Sequence, residues 1–282
     1  MHLPSEDGGY EIYKAAGKLQ DKCAIITGGD SGIGRATAIL FAMEGADSLI
    51  AYLPEEESDA QETKKKVEER GRKCYLLPTD LTKKENCQKV IDAAIKGMGK
   101  IDILFNNHAY QMMVEDIQDL SEYIGRYHFS HLIQLTNSCR EQWEKTFNTN
   151  IHPFFYLCKY ALPHMARGGA IINNASINAY IGRPDLLDYT STKGAIVSFT
   201  RGLSNQYVSK GIRVNAVAPG PVWTPLIPST MNHEAQKNFT SPMGRPSQPS
   251  EIAACLVFLA STDSSSISGQ TIHCNGGTIV NG

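Results

Sequence analysis

Tyr189 and Lys193 stand four residues apart at the start of a long helical pattern running from Tyr189 to roughly Ser209. That spacing stacks both side chains on one helix face, one turn apart. An ammonium held beneath a phenol favours the phenolate, so the tyrosine is expected to titrate below its free value of about 10. A phenol tuned this way can give a proton to a carbonyl, or take one from an alcohol, near neutral pH. Ser176 follows the apolar run Gly169-Ala-Ile-Ile-Asn-Asn-Ala175, which reads as a buried strand with a polar end. Its hydroxyl can hold the same substrate oxygen, and the three residues together make a proton-transfer site. A Tyr-x-x-x-Lys pair also occurs on ordinary solvated helix faces, so the reading depends on the rest of the chain.

The elements that must position these groups alternate between strand and helix. Cys23-Ala-Ile-Ile-Thr27 reads as a buried strand, followed by Gly28-Gly-Asp-Ser-Gly-Ile-Gly34 and a helix from Arg35 to Glu44 that Gly45 stops. A strand, a glycine-rich turn and a helix N-terminus form a phosphate cradle, because glycines admit the ligand close to the backbone and free N–H groups meet the anion. With both flanking elements in place, the loop is read as a dinucleotide site. Asp47 to Tyr52 is the second strand, then come a helix over 58–70 and a strand from Lys73 to Leu77. Asp80 can accept from an adenine amino group or cap the helix that starts near Lys83. Ile101 to Phe105 is the fourth strand and ends in Asn106-Asn107.

A helix is expected from about Arg140 to Met165, kinked or interrupted at Pro153. Asn150, among its apolar residues, is either a buried polar group with a function or a surface residue. Ile212 to Ala218 is a further strand, closed by Pro219-Gly220. Residues 221–248, rich in Pro, Ser and Thr, form a candidate mobile lid at a strand's carboxyl end. Helix Pro249 to Ala260 and strand Thr271 to Cys274 complete the chain. The alternation implies one α/β domain, a doubly wound, seven-stranded parallel sheet with helices on both faces. Residues 1–18 are left as an extended arm on the surface or across a partner.

Length and composition agree with one substantial core: 282 residues, 41% hydrophobic, with a net charge of −2. The near-neutral balance gives no basic patch for nucleic acid or an anionic membrane. No apolar run reaches the roughly 20 residues that span a bilayer, and the N-terminus has no apolar core of a secretory signal. Seven scattered cysteines lack the spacing of a zinc site and suit a reducing, cytoplasmic setting. His128 and His131 are three apart with no acidic or thiol companion, so no metal site is expected.

With these pieces placed, the chain resembles the short-chain dehydrogenase/reductase family over residues 19–282. Thr27-Gly-Gly-Asp-Ser-Gly-Ile-Gly34 is similar to its TGxxxGxG cofactor loop, Asp80-Leu81 to its adenine-contacting pair, and Asn106-Asn107 to its NNAG turn. Asn150, Ser176, Tyr189 and Lys193 match its catalytic tetrad, and Pro219-Gly220 with Thr224 its PGxxxT segment. More narrowly, the loop, Tyr-Leu-Pro-Glu-Glu-Glu and Pro-Gly-Pro-Val-Trp-Thr-Pro resemble glucose/ribitol dehydrogenase-like and general-stress oxidoreductases. The resemblance implies a Rossmann-like fold and hydride transfer between a nicotinamide and a carbonyl or secondary alcohol, with Tyr189 as general acid/base. It implies that Lys193 lowers the tyrosine's pKa and binds ribose, Ser176 holds the substrate oxygen, and Asn150 holds a water joining Lys193 to a proton relay. Cofactor contacts are implied at Gly28, Asp30, Ser31, Gly32, Ile33 and Gly34. Others are implied at Tyr52, Leu53, Asp80, Leu81 and Asn107, at Tyr189 and Lys193 themselves, and at Pro219, Gly220, Val222 and Thr224. The dinucleotide is NADP or NAD, with a slight lean to NADP: Tyr52-Leu53 offers neither an acid for a ribose hydroxyl nor an arginine for a 2′-phosphate. A small-molecule substrate and a homotetramer are implied as partners. His108-Ala109 departs from the family's Ala-Gly, and residues 111–142 form an insert. That departure and the insert leave open a dehydratase or epimerase using the same site. A non-catalytic nucleotide-binding scaffold is the remaining alternative.

Overall fold

In a computed structural model, residues 8–120, 142–230, 233, 236 and 239–280 are described. Their centre is a seven-stranded sheet in the order β3-β2-β1-β4-β5-β6-β7 with every pairing parallel. The strands are β1 (Cys23–Thr27), β2 (Asp47–Tyr52), β3 (Cys74–Pro78), β4 (Ile101–Asn106), β5 (Met165–Asn174), β6 (Arg213–Val217) and β7 (Thr271–Ile272). The central strands are apolar without alternation because helices cover both faces. On one face lie α2 (Gly32–Met43) and α10 (Pro249–Ala260), packed with Ile26, Ile50 and Phe105 in one core. On the other, α4 (Lys84–Met98) and α6 (His152–Ala161) close a second core around Ile25, Leu104 and Ile171. The strand order turns back between β1 and β4, and ligands of such sheets bind at the carboxyl ends beside that switch.

Most element boundaries agree with the sequence reading within a few residues, and the differences have local causes. α2 starts at Gly32, not Arg35, because extended Ser31 already serves as N-cap and the glycines Gly32 and Gly34 belong to the first helical turn. α3 (Glu57–Glu68) replaces the helix over 58–70. The expected helix 140–165 is two helices, α5 (Gln142–Asn150) and α6, separated at Ile151, with Pro153 in the first turn of the second. A proline fits a first turn because its missing N–H has no helical acceptor there. Asn150 is therefore at a helix end, not in mid-helix. Asp80 does not cap α4: its Oδ1 accepts from the backbone N (3.0 Å) and Oγ1 (2.7 Å) of Thr82 and closes a turn before the helix.

The N-terminal arm is not extended throughout. α1 (Gly8–Ile12) is a helical turn that packs on α10, and Tyr10 is buried in the core that α2 and α10 share. Buried Glu44 at the end of α2 then collects Tyr13 Oη and the backbone N–H groups of Ala16 and Lys18, so the arm packs on its own domain. Among its described residues the lid region has the short helix α9 (Leu226–Thr230), helical positions at 233 and 236, and a bridge between Val222 and Ser247. The remaining helices are α7 (Asn178–Ile181) and α8 (Leu187–Tyr207), which carries the Tyr-Lys pair. The histidines at 128 and 131, Cys139, and residues 121–141 of the insert lie outside the described residues.

Candidate active site

The carboxyl ends of β1, β4, β5 and β6 open into one cleft of about 1430 Å³ lined by residues of the glycine loop, Ser176, Tyr189 and Lys193. Gly28 and Gly32 sit at φ 60° and 50°, a region that favours glycine. A Cβ on Gly34 would lie 1.8 Å from the Gly28 carbonyl oxygen, so only a glycine lets the helix start this close to β1. Ser31 caps α2 without a side-chain hydrogen bond, leaving the first N–H groups of the helix to face the cleft. This glycine cradle and its open N–H groups fit a pyrophosphate. Asp30, Ser31, Ile33, Tyr52, Leu53, Asp80, Leu81, Asn107, Pro219, Gly220, Val222 and Thr224 all line the same cleft.

Adjacent strand ends are stitched together by asparagines. Asn106 pairs in register with Asn173, and its Nδ2 donates to Asn173 Oδ1 over 2.9 Å. One residue on, Asn174 Nδ2 donates to Asn107 Oδ1, while Asn107 Nδ2 donates to the carbonyls of Thr27 and Gly28. Thr27 Oγ1 accepts from the Asn107 backbone N and lies 2.7 Å from His108 Nδ1. These contacts bind β1, β4 and β5 into one rim. The signal was present as two Asn-Asn pairs, 106–107 and 173–174, each at a strand end, but pairing them requires the strand order.

Tyr189 and Lys193 rise from the first two turns of α8, both buried, with Lys193 Nζ 5.2 Å from the Tyr189 ring centre. Lys193 Nζ donates to the Asn174 carbonyl over 2.7 Å, and Ser176 is hydrogen-bonded to the Tyr189 hydroxyl. The backbone N of Asn178 donates to Ser176 Oγ at 3.1 Å and fixes it. The electrostatics differ from the sequence expectation. Burial pushes the Tyr189 phenol up to about 12 against the smaller opposite pull of Ser176. Burial also pulls Lys193 down to about 7. Desolvation disfavours the charged form of both groups and is the leading cause of each shift. In this state the tyrosine is a neutral phenol, the form that gives a proton.

Asn150 is held on three sides. Its Oδ1 accepts from Tyr110 N (2.7 Å), and its Nδ2 donates to Tyr110 O (2.9 Å) and Thr192 Oγ1 (3.0 Å). Both N–H donors of the carboxamide are committed, one to the loop after β4 and one to α8, so it braces the catalytic helix. His108 is half-buried with its ring 5.1 Å from that of Phe154, and desolvation pulls its pKa down to about 3, so the imidazole is neutral across the physiological range.

On the substrate side, Leu186, Ile227, Ala109, Met113 and Phe239 pack on Tyr189. Gln111 is a residue the sequence reading missed. It is 3% exposed and donates from Nε2 to Thr230 Oγ1 of α9 over 2.9 Å. Among the described residues, no group of three or more His, Cys, Asp or Glu side chains is placed to hold a metal ion. No helix among them is long and apolar enough to cross a membrane.

Comparison with known proteins agrees with this geometry. A family model described as enoyl-(acyl carrier protein) reductase matches residues 28–278. A glucose and ribitol dehydrogenase of Daucus carota is 48% identical over 99% of this chain and 92% of its own length. A chloroplastic NADPH-dependent aldehyde reductase of Arabidopsis thaliana is 47% identical over 95% of this chain and 90% of its own. A short chain dehydrogenase of Burkholderia cenocepacia, solved in complex with NADP, superposes with a TM-score of 0.80 at 26% identity, covering 92% of this chain and 98% of that one. These relatives bear the names of dehydrogenases and reductases, so dehydration or epimerisation without net redox change is not favoured.

Proposed function

The chain belongs to the short-chain dehydrogenase/reductase family, and from that premise we propose a role for each residue of its cleft. It is an NAD(P)-dependent oxidoreductase that moves a hydride between a nicotinamide and a carbonyl or secondary-alcohol carbon. The observation that carries the assignment of residues is the buried Tyr189–Ser176 contact in one cleft with the glycine cradle.

The loop from Gly28 to Gly34 and the N-terminus of α2 hold the pyrophosphate, Asp80-Leu81 flank the adenine, and Asn107 with Pro219-Gly220 bounds the nicotinamide end. The dinucleotide, when bound, supplies or accepts the hydride. Ser176 holds the substrate oxygen. Tyr189 donates its proton to that oxygen as the carbonyl is reduced, and its neutral, buried phenol is the protonation state this step needs. Lys193, fixed by the Asn174 carbonyl, places its ammonium under the ring and stabilises the phenolate left behind. Asn150 braces the turn that carries Tyr189 through Thr192 and Tyr110. NADP is the better-supported dinucleotide, since the Arabidopsis relative is named NADPH-dependent and the Burkholderia structure holds NADP.

Residues 1–18 serve as a packing arm, 221–248 as the substrate lid, and 111–142 as an insert beside the pocket. The assembly is a homotetramer packed through α5, α8, α10 and β7, and the compartment is the cytoplasm. Light scattering and cell fractionation test these two statements; a monomer or an organellar protein contradicts them. The chemistry is tested by following NADPH absorbance with aldehydes, ketones, glucose and ribitol. Oxidation of NADPH or reduction of NADP+ by any of them is the expected result. Dinucleotide binding with no turnover of any of them would count against the reading.

A further inference from the structure

Immediately before the catalytic tyrosine stands Asp188, a carboxylate only 1% exposed and outside every motif considered above. Its Oδ1 accepts from the Tyr189 backbone N over 2.8 Å. Its Oδ2 accepts from Thr146 Oγ1 (2.6 Å) and from Gln142 Nε2 (3.0 Å), both on α5. Three donors therefore converge on two oxygens, so both sides of the buried carboxylate are hydrogen-bonded. Gln142 Nε2 also donates to the Met112 carbonyl over 2.9 Å, and Val114 N donates to the Asp185 carbonyl over 3.0 Å. The loop after β4, the start of α5 and the first turn of α8 thus meet at a single buried anion.

A helix N-terminus explains part of this. The Tyr189 N–H lies in the first turn of α8 and has no helical acceptor, and an acid near that end meets a favourable dipole. It does not explain why the second oxygen leaves its own helix to collect two side chains from α5. A buried charge is costly unless it is fully hydrogen-bonded, so the arrangement is held only by complete pairing.

We propose that Asp188 is a positioning residue for Tyr189, a buried hydrogen-bonding hub that fixes the phenol against Ser176. The proposal rests on the oxidoreductase reading of the same site. Through the Tyr189 backbone N–H, Thr146 and Gln142, Asp188 ties the first turn of α8 to α5 and so sets where the phenol stands. The other charged and titratable groups sharing the cleft with Tyr189 are Lys193 on α8, Lys145 on α5 (4.1 Å above the ring of Tyr110), neutral His108, exposed Glu115 and the mutually ion-paired Arg183 and Asp185, with Asp30, Tyr52, Glu55, Glu56 and Asp80 on the cofactor half.

The test uses full-length protein in complex with NADP+, with tyrosines labelled with ¹³C at Cζ; the Tyr189 resonance is assigned by its loss in Tyr189→Phe. In Asp188→Asn the Tyr189 titration midpoint should move away from that of the unaltered protein, because the phenol is no longer held at its burial site against Ser176. NADPH reduction of an aldehyde that the protein accepts should slow about tenfold, with NADPH affinity within about twofold. Thr146→Val, which removes one donor and leaves the charge, should slow turnover a smaller amount, about threefold, and Thr146→Ser should restore it. An unmoved midpoint in Asp188→Asn overturns the proposal, as does a loss of melting temperature with turnover unchanged. If Asp188→Asn does not fold, Thr146→Val with undiminished turnover overturns it. Failure of the unaltered protein to turn over any carbonyl compound would count against the oxidoreductase reading instead, and the NMR midpoint would still decide the role of Asp188.

Discussion

The cofactor half and the substrate half of the cleft are built from different materials. Around the glycine loop, function is a matter of backbone: positive-φ glycines, open N–H groups of α2, and carbonyls pinned by Asn107. Around Tyr189, function is a matter of side chains sent from α5, α8, α9 and the loop after β4, each held by one to three hydrogen bonds. Backbone devices tolerate almost no substitution. Side-chain devices can be weakened by degrees.

That contrast sets the expected order of effects. Gly34→Ala should be the most damaging change in the cofactor half, because its Cβ would lie 1.8 Å from the Gly28 oxygen. Overpacking of this kind costs about 1–3 kcal/mol, so NADPH affinity measured by fluorescence titration should fall ~10- to 100-fold. An unchanged affinity would mean that the loop yields and that the contrast is overdrawn.

Lys193→Met comes next and separates chemistry from stability. Turnover should fall by about 100-fold, the scale of losing a positioned proton-transfer group. Stability should move the other way at neutral pH. Burial holds Lys193 near 7 in the folded chain, below its ordinary value of 10.5. Between those two pH values the unfolded chain binds more protons, so stability from this group rises with pH across the window and is lost as pH falls toward 7. In urea unfolding, Lys193→Met should therefore be more stable than the parent at pH 7, with the gap closing toward pH 10. A gap that widens with pH would contradict the buried, neutral-favouring environment.

The same reasoning applies to His108, whose folded value near 3 lies below its ordinary 6.5. The folded chain should lose stability as pH drops from 6.5 toward 3, and His108→Gln should reduce that loss. The smallest effect is expected from Gln111→Ala, which frees α9 from the floor of the cleft. KM for a carbonyl substrate should rise about threefold, in line with the loss of one neutral hydrogen bond, while NADPH affinity stays the same. A comparable loss of NADPH affinity would mean that the two halves are not separable.

The difference also governs what could be read from the sequence. The glycine loop, the parallel sheet and the Ser176, Tyr189 and Lys193 triad were legible because local spacing specifies backbone devices and strand ends. The split between α5 and α6 was half legible: Pro153 announced a break, but the residue at which the helix stops depends on packing. Asp188, Gln142 and Gln111 were not legible. Their partners lie 42, 46 and 119 residues away in sequence, and nothing local marks them. The titration of Tyr189 was misread for a related reason. Spacing identifies the lysine as a neighbour, but only the fold shows how completely water is removed from both.

The central claim is that the proton on a buried phenol is the one delivered to the substrate oxygen. Rapid mixing of NADPH-loaded Tyr189→Phe with an aldehyde that the parent protein reduces tests it most directly. The expected result is NADPH bound within about twofold of the parent affinity and hydride transfer slower by ~10³-fold. Hydride transfer within about tenfold of the parent rate, with NADPH still bound, would show that some other group supplies the proton.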